Sequence, residues 1–206
     1  MILAIETSTA MCSAALFANG DIVDARAVKI GRGHAERLVP IIEELLGDHV
    51  PTEILVSVGP GSFTGIRVGI AAAQGLAIGW HVPVHGFSSM TLMAAAARRD
   101  AKTAGDITVA MQGGHGELFV QGFEGRHPHP IGDAESLPPA DAASKHARPI
   151  ITGPAAAALA DAGCQGSEVI VSDPVAADAI LLTQELRRLP PAPLYVRPPD
   201  AKPKAA

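Results

Sequence analysis

Two short apolar runs, Ile2 to Glu6 and Met11 to Ala18, separated by the polar break Thr7-Ser8-Thr9 and followed at once by Asn19-Gly20, set the strongest limit on what this chain can fold into. Asn-Gly lets both central residues of a two-residue turn take positive φ, which a tight hairpin needs. Ile22 to Val28 is therefore expected to return antiparallel, and the chain opens as a strand meander and not as a βαβ unit. The period then changes. After Gly31-Arg32-Gly33, the residues Leu38, Ile41, Ile42, Leu45 and Leu46 fall at i, i+3, i+4, i+7 and i+8, which predicts a helix from His34 to Leu46. Gly47 stands at the position of a helix-ending glycine, and Pro40 inside the pattern predicts a kink or a separate first turn. A strand over Ile54 to Val58, a glycine-rich turn from Gly59 to Gly65, a helix over Ile66 to Trp80, a strand over Val82 to Phe87 and a helix capped by Ser88 or Ser89 and running to Arg99 complete the first half.

The second half repeats this order in shorter form. Ile107 to Met111 and Glu117 to Phe123 read as strands around Gly113-Gly114-His115-Gly116. Gly125 to Pro139 reads as a loop without periodicity, followed by Ile150-Ile151, a helix over Pro154 to Ala162, Val169 to Val171, and a helix from Pro174 to Arg188 capped by Asp173. The Pro-rich end is interrupted by Leu194-Tyr195-Val196, and the tail after Pro198 reads as disordered. Repetition of element order predicts two related lobes, residues 1–104 and a smaller lobe 105–198, with a tail 199–206.

With 16 basic against 21 acidic residues among 206, the net charge of −5 argues against a protein that holds nucleic acid by its own charge. Two cysteines exclude a disulfide framework and a cysteine-only zinc site. The start, Met1 to Ile5, lacks a basic segment and is interrupted by Glu6, so no signal peptide is read; the apolar stretch Ile66 to Val84 contains Arg67, Gln74, Trp80 and His81 and is a poor membrane span. A cytoplasmic protein is expected.

Chemistry concentrates in Gly59-Pro60-Gly61-Ser62-Phe63-Thr64-Gly65, between a strand and a helix. Backbone amides of such a loop suit an anion, with Thr7 and Ser8 as neighbouring candidates and Gly59, Gly61, Ser62 and Thr64 as the loop members. The alternative is a tight turn capped by Ser62 or Thr64. No Lys-Ser/Thr pair follows, so it is not a P-loop. The next helix carries small residues, Gly65, Gly69, Ala72, Ala73 and Gly75, at three- and four-residue spacing, together with Ile66, Val68, Ile70 and Ile78. Glycine there costs about 1 kcal/mol each relative to alanine, so close packing must offset it, either on the chain's own sheet or on a partner. His34 starts no His-x-x-x-His pair, because Leu38 follows it at i+4; His81 and His85 have that spacing but straddle Pro83 in an expected strand without an acidic neighbour in sequence, and no complete metal set is read. Cys12 has no general base in view, and Glu6 either touches a phosphate or metal-bound water or satisfies turn amides. No catalytic residue is assigned.

Ile2-Leu3-Ala4-Ile5-Glu6-Thr7-Ser8, His34-Ala35-Glu36-Arg37-Leu38-Val39-Pro40, Gly59-Pro60-Gly61-Ser62-Phe63-Thr64-Gly65-Ile66-Arg67-Val68-Gly69 and Gly86-Phe87-Ser88-Ser89 resemble the TsaB family, also called YeaZ or glycoprotease-like, and Pro193-Leu194-Tyr195-Val196-Arg197 resembles its closing motif. The resemblance implies an α/β, actin-like fold of the sugar kinase/Hsp70/actin type, with two RNase H-like lobes of which the second is abbreviated. It implies a non-catalytic partner of TsaD, the enzyme that transfers threonylcarbamoyl to the adenosine next to the anticodon in tRNAs reading ANN codons. Docking is implied through the first two helices, giving His34, Leu38, Ile41, Ile42, Leu45, Gly65, Arg67, Val68, Gly69, Ala72 and Ala73 as interface candidates. The ATPase TsaE joins the assembly, a homodimer is expected when the chain is alone, tRNA is reached only through the complex, and ATP or ADP is expected at the complex interface if anywhere. The alternative is an actin-like nucleotide-dependent enzyme or hydrolase acting alone.

Overall fold

The computed structural model describes residues 1–102 and 104–197. The expected tail over 199–206 lies outside the described residues. Strands β1 (Ile2–Glu6), β2 (Met11–Ala18), β3 (Asp21–Lys29), β4 (Glu53–Ser57) and β5 (Val84–Phe87) form one sheet in the order β3-β2-β1-β4-β5. β1, β2 and β3 are antiparallel neighbours, and β4 and β5 run parallel to β1. The opening hairpin turns as its residues demand, with φ of 55° at Asn19 and 89° at Gly20.

A second sheet repeats the plan. β6 (Ile107–Gln112), β7 (Leu118–Glu124), β8 (His129–Leu137), β9 (Ile150–Thr152) and β10 (Glu168–Ile170) are ordered β10-β9-β6-β7-β8, the same sequence of neighbours in the same relative directions.

Helices cover the sheets according to their apolar faces. α1 (His34–Leu46) and α2 (Phe63–Trp80) lie on one face of the first sheet, where Leu38, Ile41, Ile42, Ile66, Ile70 and Ala73 close a core with Leu3, Ile5, Ile54 and Val56. α3 (Ser89–Asp100) is buried from Ser89 to Ala97 because it packs between the two sheets. Leu92 and Ala95 meet Ala4, Leu55 and Phe87, while Met90, Met93, Ala94 and Ala97 meet Ile107, Val109, Met111 and Phe123. Its alanines allow that close approach on both sides. α4 (Pro139–His146) and α5 (Ala156–Asp161) cover the far face of the second sheet.

Several expectations change. The span from Gly125 to Pro139 is not a loop: β8 occupies most of it and pairs with β7 through backbone hydrogen bonds. α1 runs through Pro40 as one helix, and α2 begins at Phe63, with the Ser62 Oγ accepting from the Gly65 amide at 3.2 Å. The helix expected from Pro174 to Arg188 is two short 3₁₀ turns, Ala176–Leu181 and Glu185–Arg187. Residues 176–182, inside the span expected for the second lobe, pack back on the first sheet: Ala176, Ala179 and Leu182 cover Ala15 and Phe17, and the Ala176 amide donates to Ser13 Oγ at 2.9 Å. Among the described residues no helix is long and apolar enough to cross a membrane.

Candidate functional site: the β4–α2 turn and the outer face of α2

The turn after β4 and the turn after β1 meet at the C-terminal ends of these two neighbouring parallel strands. The Ser62 amide donates to the Ser8 carbonyl at 2.6 Å, and Thr7 Oγ1 donates to the Gly65 carbonyl at 2.8 Å. The glycines here are steric requirements. A Cβ on Gly61 would lie 2.1 Å from the Ser8 carbonyl oxygen, one on Gly65 2.1 Å from the Thr7 carbonyl oxygen, and one on Gly69 2.4 Å from Thr7 Oγ1. Thr7, Ser8, Gly59, Gly61, Ser62 and Thr64, the candidate anion loop, are thus brought together, but the amides of Ser62 and Gly65 are spent on the chain itself.

Beneath this junction Glu6 is fully buried. One carboxylate oxygen accepts from the Ser8 amide, and the other has no hydrogen-bond partner; Ser8 Oγ is likewise buried without one. Ser57 Oγ and Ser89 Oγ lie 2.6 Å apart nearby. Burial pushes the Glu6 carboxyl above its ordinary range, against the opposing pull of the Ser8, Ser57 and Ser89 hydroxyls and the Ser8 amide. Of the two sequence readings of Glu6, the geometry shows the turn-satisfying contact.

The two faces of α1 and α2 have different occupants. His34, Leu38, Ile41, Ile42, Leu45, Gly65, Gly69 and Ala73, expected to face a partner, are buried in the chain's own core. This corrects that part of the expected interface: the aliphatic stripe of α1 and the first two glycines of α2 serve the sheet. Arg67 is exposed, and Val68 and Ala72 are half-buried at the boundary. Sequence reading missed Ala71 and Gln74 of the outer stripe; together with Arg67, Gly75 and Ile78 these follow one another at helical spacing, and all are exposed, Ile78 at 77%. Nothing lies within 4 Å of a Cβ placed on Gly75 or Gly79. Beside the stripe a groove of about 440 Å³ is lined by Val39, Leu46, Val50, Leu76 and Trp80. At the start of α2 the Arg67 guanidinium sits 3.4 Å from the Phe63 ring centroid, and Phe63 stacks on Tyr195 with centroids 5.7 Å apart.

His34 and the two cysteines are engaged structurally. His34 Nε2 lies 2.9 Å from the Thr9 carbonyl and 3.3 Å from that of Met11, so it carries the proton and donates to both. Cys12 and Cys164 are buried free thiols, and burial pushes the Cys12 thiol up to about 11. Among the described residues no three of His, Cys, Asp and Glu gather as a metal set.

Two sheets of identical neighbour order, each opened by an antiparallel meander and closed by parallel strands, with a buried helix between them, define the class of actin-like proteins built from two RNase H-like lobes. The family model for TsaD, the tRNA N6-adenosine threonylcarbamoyltransferase, matches residues 28–128. The TsaB protein (tRNA threonylcarbamoyladenosine biosynthesis protein) of Escherichia coli is 37% identical over 124 residues, 57% of this chain and 52% of that protein, so the match spans about half of that relative. An uncharacterised protein of Mycobacterium bovis is 32% identical over 99% of this chain and 95% of its own length. The structure of YeaZ from Pseudomonas aeruginosa superposes with a TM-score of 0.74 at 27% identity, covering 88% of this chain and 89% of that one. The chain belongs to the TsaB (YeaZ) family.

Proposed function

We propose that this chain acts in tRNA threonylcarbamoyladenosine biosynthesis as a non-catalytic cytoplasmic subunit that docks on TsaD. The name of the E. coli relative and the TsaD family model over residues 28–128 support the pathway. The observation that carries the docking role is the outer stripe of α2. Its inner glycines are explained by the sheet, but Ala71, Gly75 and Ile78 face outward with no described residue of the chain covering them. Glycine on an exposed helix face costs stability with no return inside the monomer, and a facing helix gains close approach from it.

In this reading TsaD transfers threonylcarbamoyl to the adenosine beside the anticodon of tRNAs reading ANN codons, and TsaE joins the assembly. When alone, the same face of α2 pairs with a second copy of the chain. The net charge of −5 favours reaching tRNA through the complex. The chain holds no cofactor of its own in this reading, and the Ser62 and Gly65 amides, already bonded within the chain, support seeking any ATP or ADP at the complex interface. The test is reconstitution of tRNA modification from purified TsaD and TsaE with and without this chain. Multiple-turnover modification that depends on the chain is expected; equal rates in its absence contradict the proposal.

A further inference from the structure

The closing motif Pro193-Leu194-Tyr195-Val196-Arg197, with the residues just before it, makes a continuous set of contacts across the molecule. On the first lobe, Leu189 exchanges two backbone hydrogen bonds with Gly86 at the edge of β5, at 2.6 and 3.0 Å. The Leu194 amide donates to the Val58 carbonyl at 2.8 Å, and Gln74 of α2 donates to the Pro191 carbonyl at 3.2 Å. Tyr195 then stacks on Phe63. Two residues later the chain has reached the second lobe. Arg197 Nη2 lies 2.6 Å from His115 Nδ1, and Nη1 lies 3.4 Å from the Glu117 carboxylate, which also accepts from Ser136 Oγ at 2.5 Å. Because a guanidinium only donates, Nδ1 of His115 is the acceptor. Beneath the segment lies a cleft of about 840 Å³, lined by Thr91 of α3, Gln121 and Pro130 of the second sheet, and Leu189, Leu194 and Val196 of the segment itself.

We propose that residues 189–197 are an interlobe clasp: anchored on β5 and on the Phe63–Tyr195 stack, and latched by Arg197 to the β6–β7 hairpin, they hold the two lobes in one arrangement and roof the cleft between them. Pro190, Pro191 and Pro193 restrict φ along the span, so that the two ends move as a unit. Exposed loops that make only local contacts exchange their amides independently of distant side chains. A clasp does not.

Hydrogen exchange measured by NMR on the full chain separates the two. In the Arg197→Ala protein the amides of Leu189 and Leu194, which Arg197 does not touch, are expected to exchange roughly tenfold faster, while those in the middle of β1 and β6 keep wild-type rates. Leu189 and Leu194 exchanging at wild-type rates would overturn the clasp, whether or not Gly113 and Glu117 in the hairpin change. If Arg197→Ala unfolds the chain, Tyr195→Leu reads the coupling in the other direction. Faster exchange at Gly113 and Glu117 is then expected, and unchanged rates there overturn the proposal.

Discussion

Glu6 places a carboxyl group, fully buried, where one oxygen has a backbone partner and the other has none. Burial raises its pKa above the ordinary 4.5, so the folded chain holds this proton more tightly than the unfolded one. The group's contribution to stability is therefore fully present below pH 4.5 and is lost as pH rises through its folded pKa. Glu6→Gln keeps the shape and the acceptor for the Ser8 amide but cannot ionise. Thermal melts across pH 4 to 8 should show the wild type losing ground to the Glu6→Gln protein as pH rises; parallel curves would mean that the carboxyl is not strained by burial. Cys12, with its thiol pushed up to about 11, and the equally buried Cys164 should stay unreactive toward a disulfide reagent at pH 8 until denaturant is added. A thiol titrating in the native chain would contradict the packing of β2 for Cys12, or of the cluster under α4 and α5 for Cys164. That Glu6 meets turn amides was legible from Thr7-Ser8-Thr9 behind it. Its complete burial was not, because the Ser57 and Ser89 hydroxyls beside it come from the end of β4 and the start of α3, far away in sequence.

Within α2, glycines of one residue type do opposite work on opposite faces. Gly65→Ala would set a methyl 2.1 Å from the Thr7 carbonyl oxygen and should destabilise the chain by about 1–3 kcal/mol, the usual cost of overpacking. Gly75→Ala meets no atom within 4 Å and should stabilise by up to about 1 kcal/mol through helix propensity. Urea melts of the two variants check the pair; equal signs would refute the two-faced account. Element legibility followed the same logic of burial. The β1–β2–β3 meander and α1 were readable because Asn19-Gly20 and the Leu38-to-Leu46 spacing have one local solution. β8 was not, since this edge strand carries Pro130, Gly132 and Asp133 and is held by backbone pairing to β7 with little apolar alternation. Ala176, Ala179 and Leu182 recur every three residues, the 3₁₀ period, which an α-helical reading of Pro174 to Arg188 overlooked.

For the whole molecule, element order was enough to expect two lobes of one plan, and the two sheets share that plan strand for strand. Which surface of the helices stays open was not readable, because small residues pack equally well on a chain's own sheet or on a neighbour. The carbonyls of Thr7 and Ser8 decide it for Gly61 and Gly65, leaving the stripe from Arg67 to Ile78 facing outward. The docking proposed for this stripe is probed at its centre by Gly75→Arg. Arginine has open space there and a better helix propensity than glycine, so the isolated protein should melt no lower than the wild type. Binding to TsaD, measured by titration calorimetry on the intact chain, should weaken at least about tenfold, or 1.4 kcal/mol. Wild-type affinity in the folded Gly75→Arg protein would mean that TsaD does not dock on this face of α2.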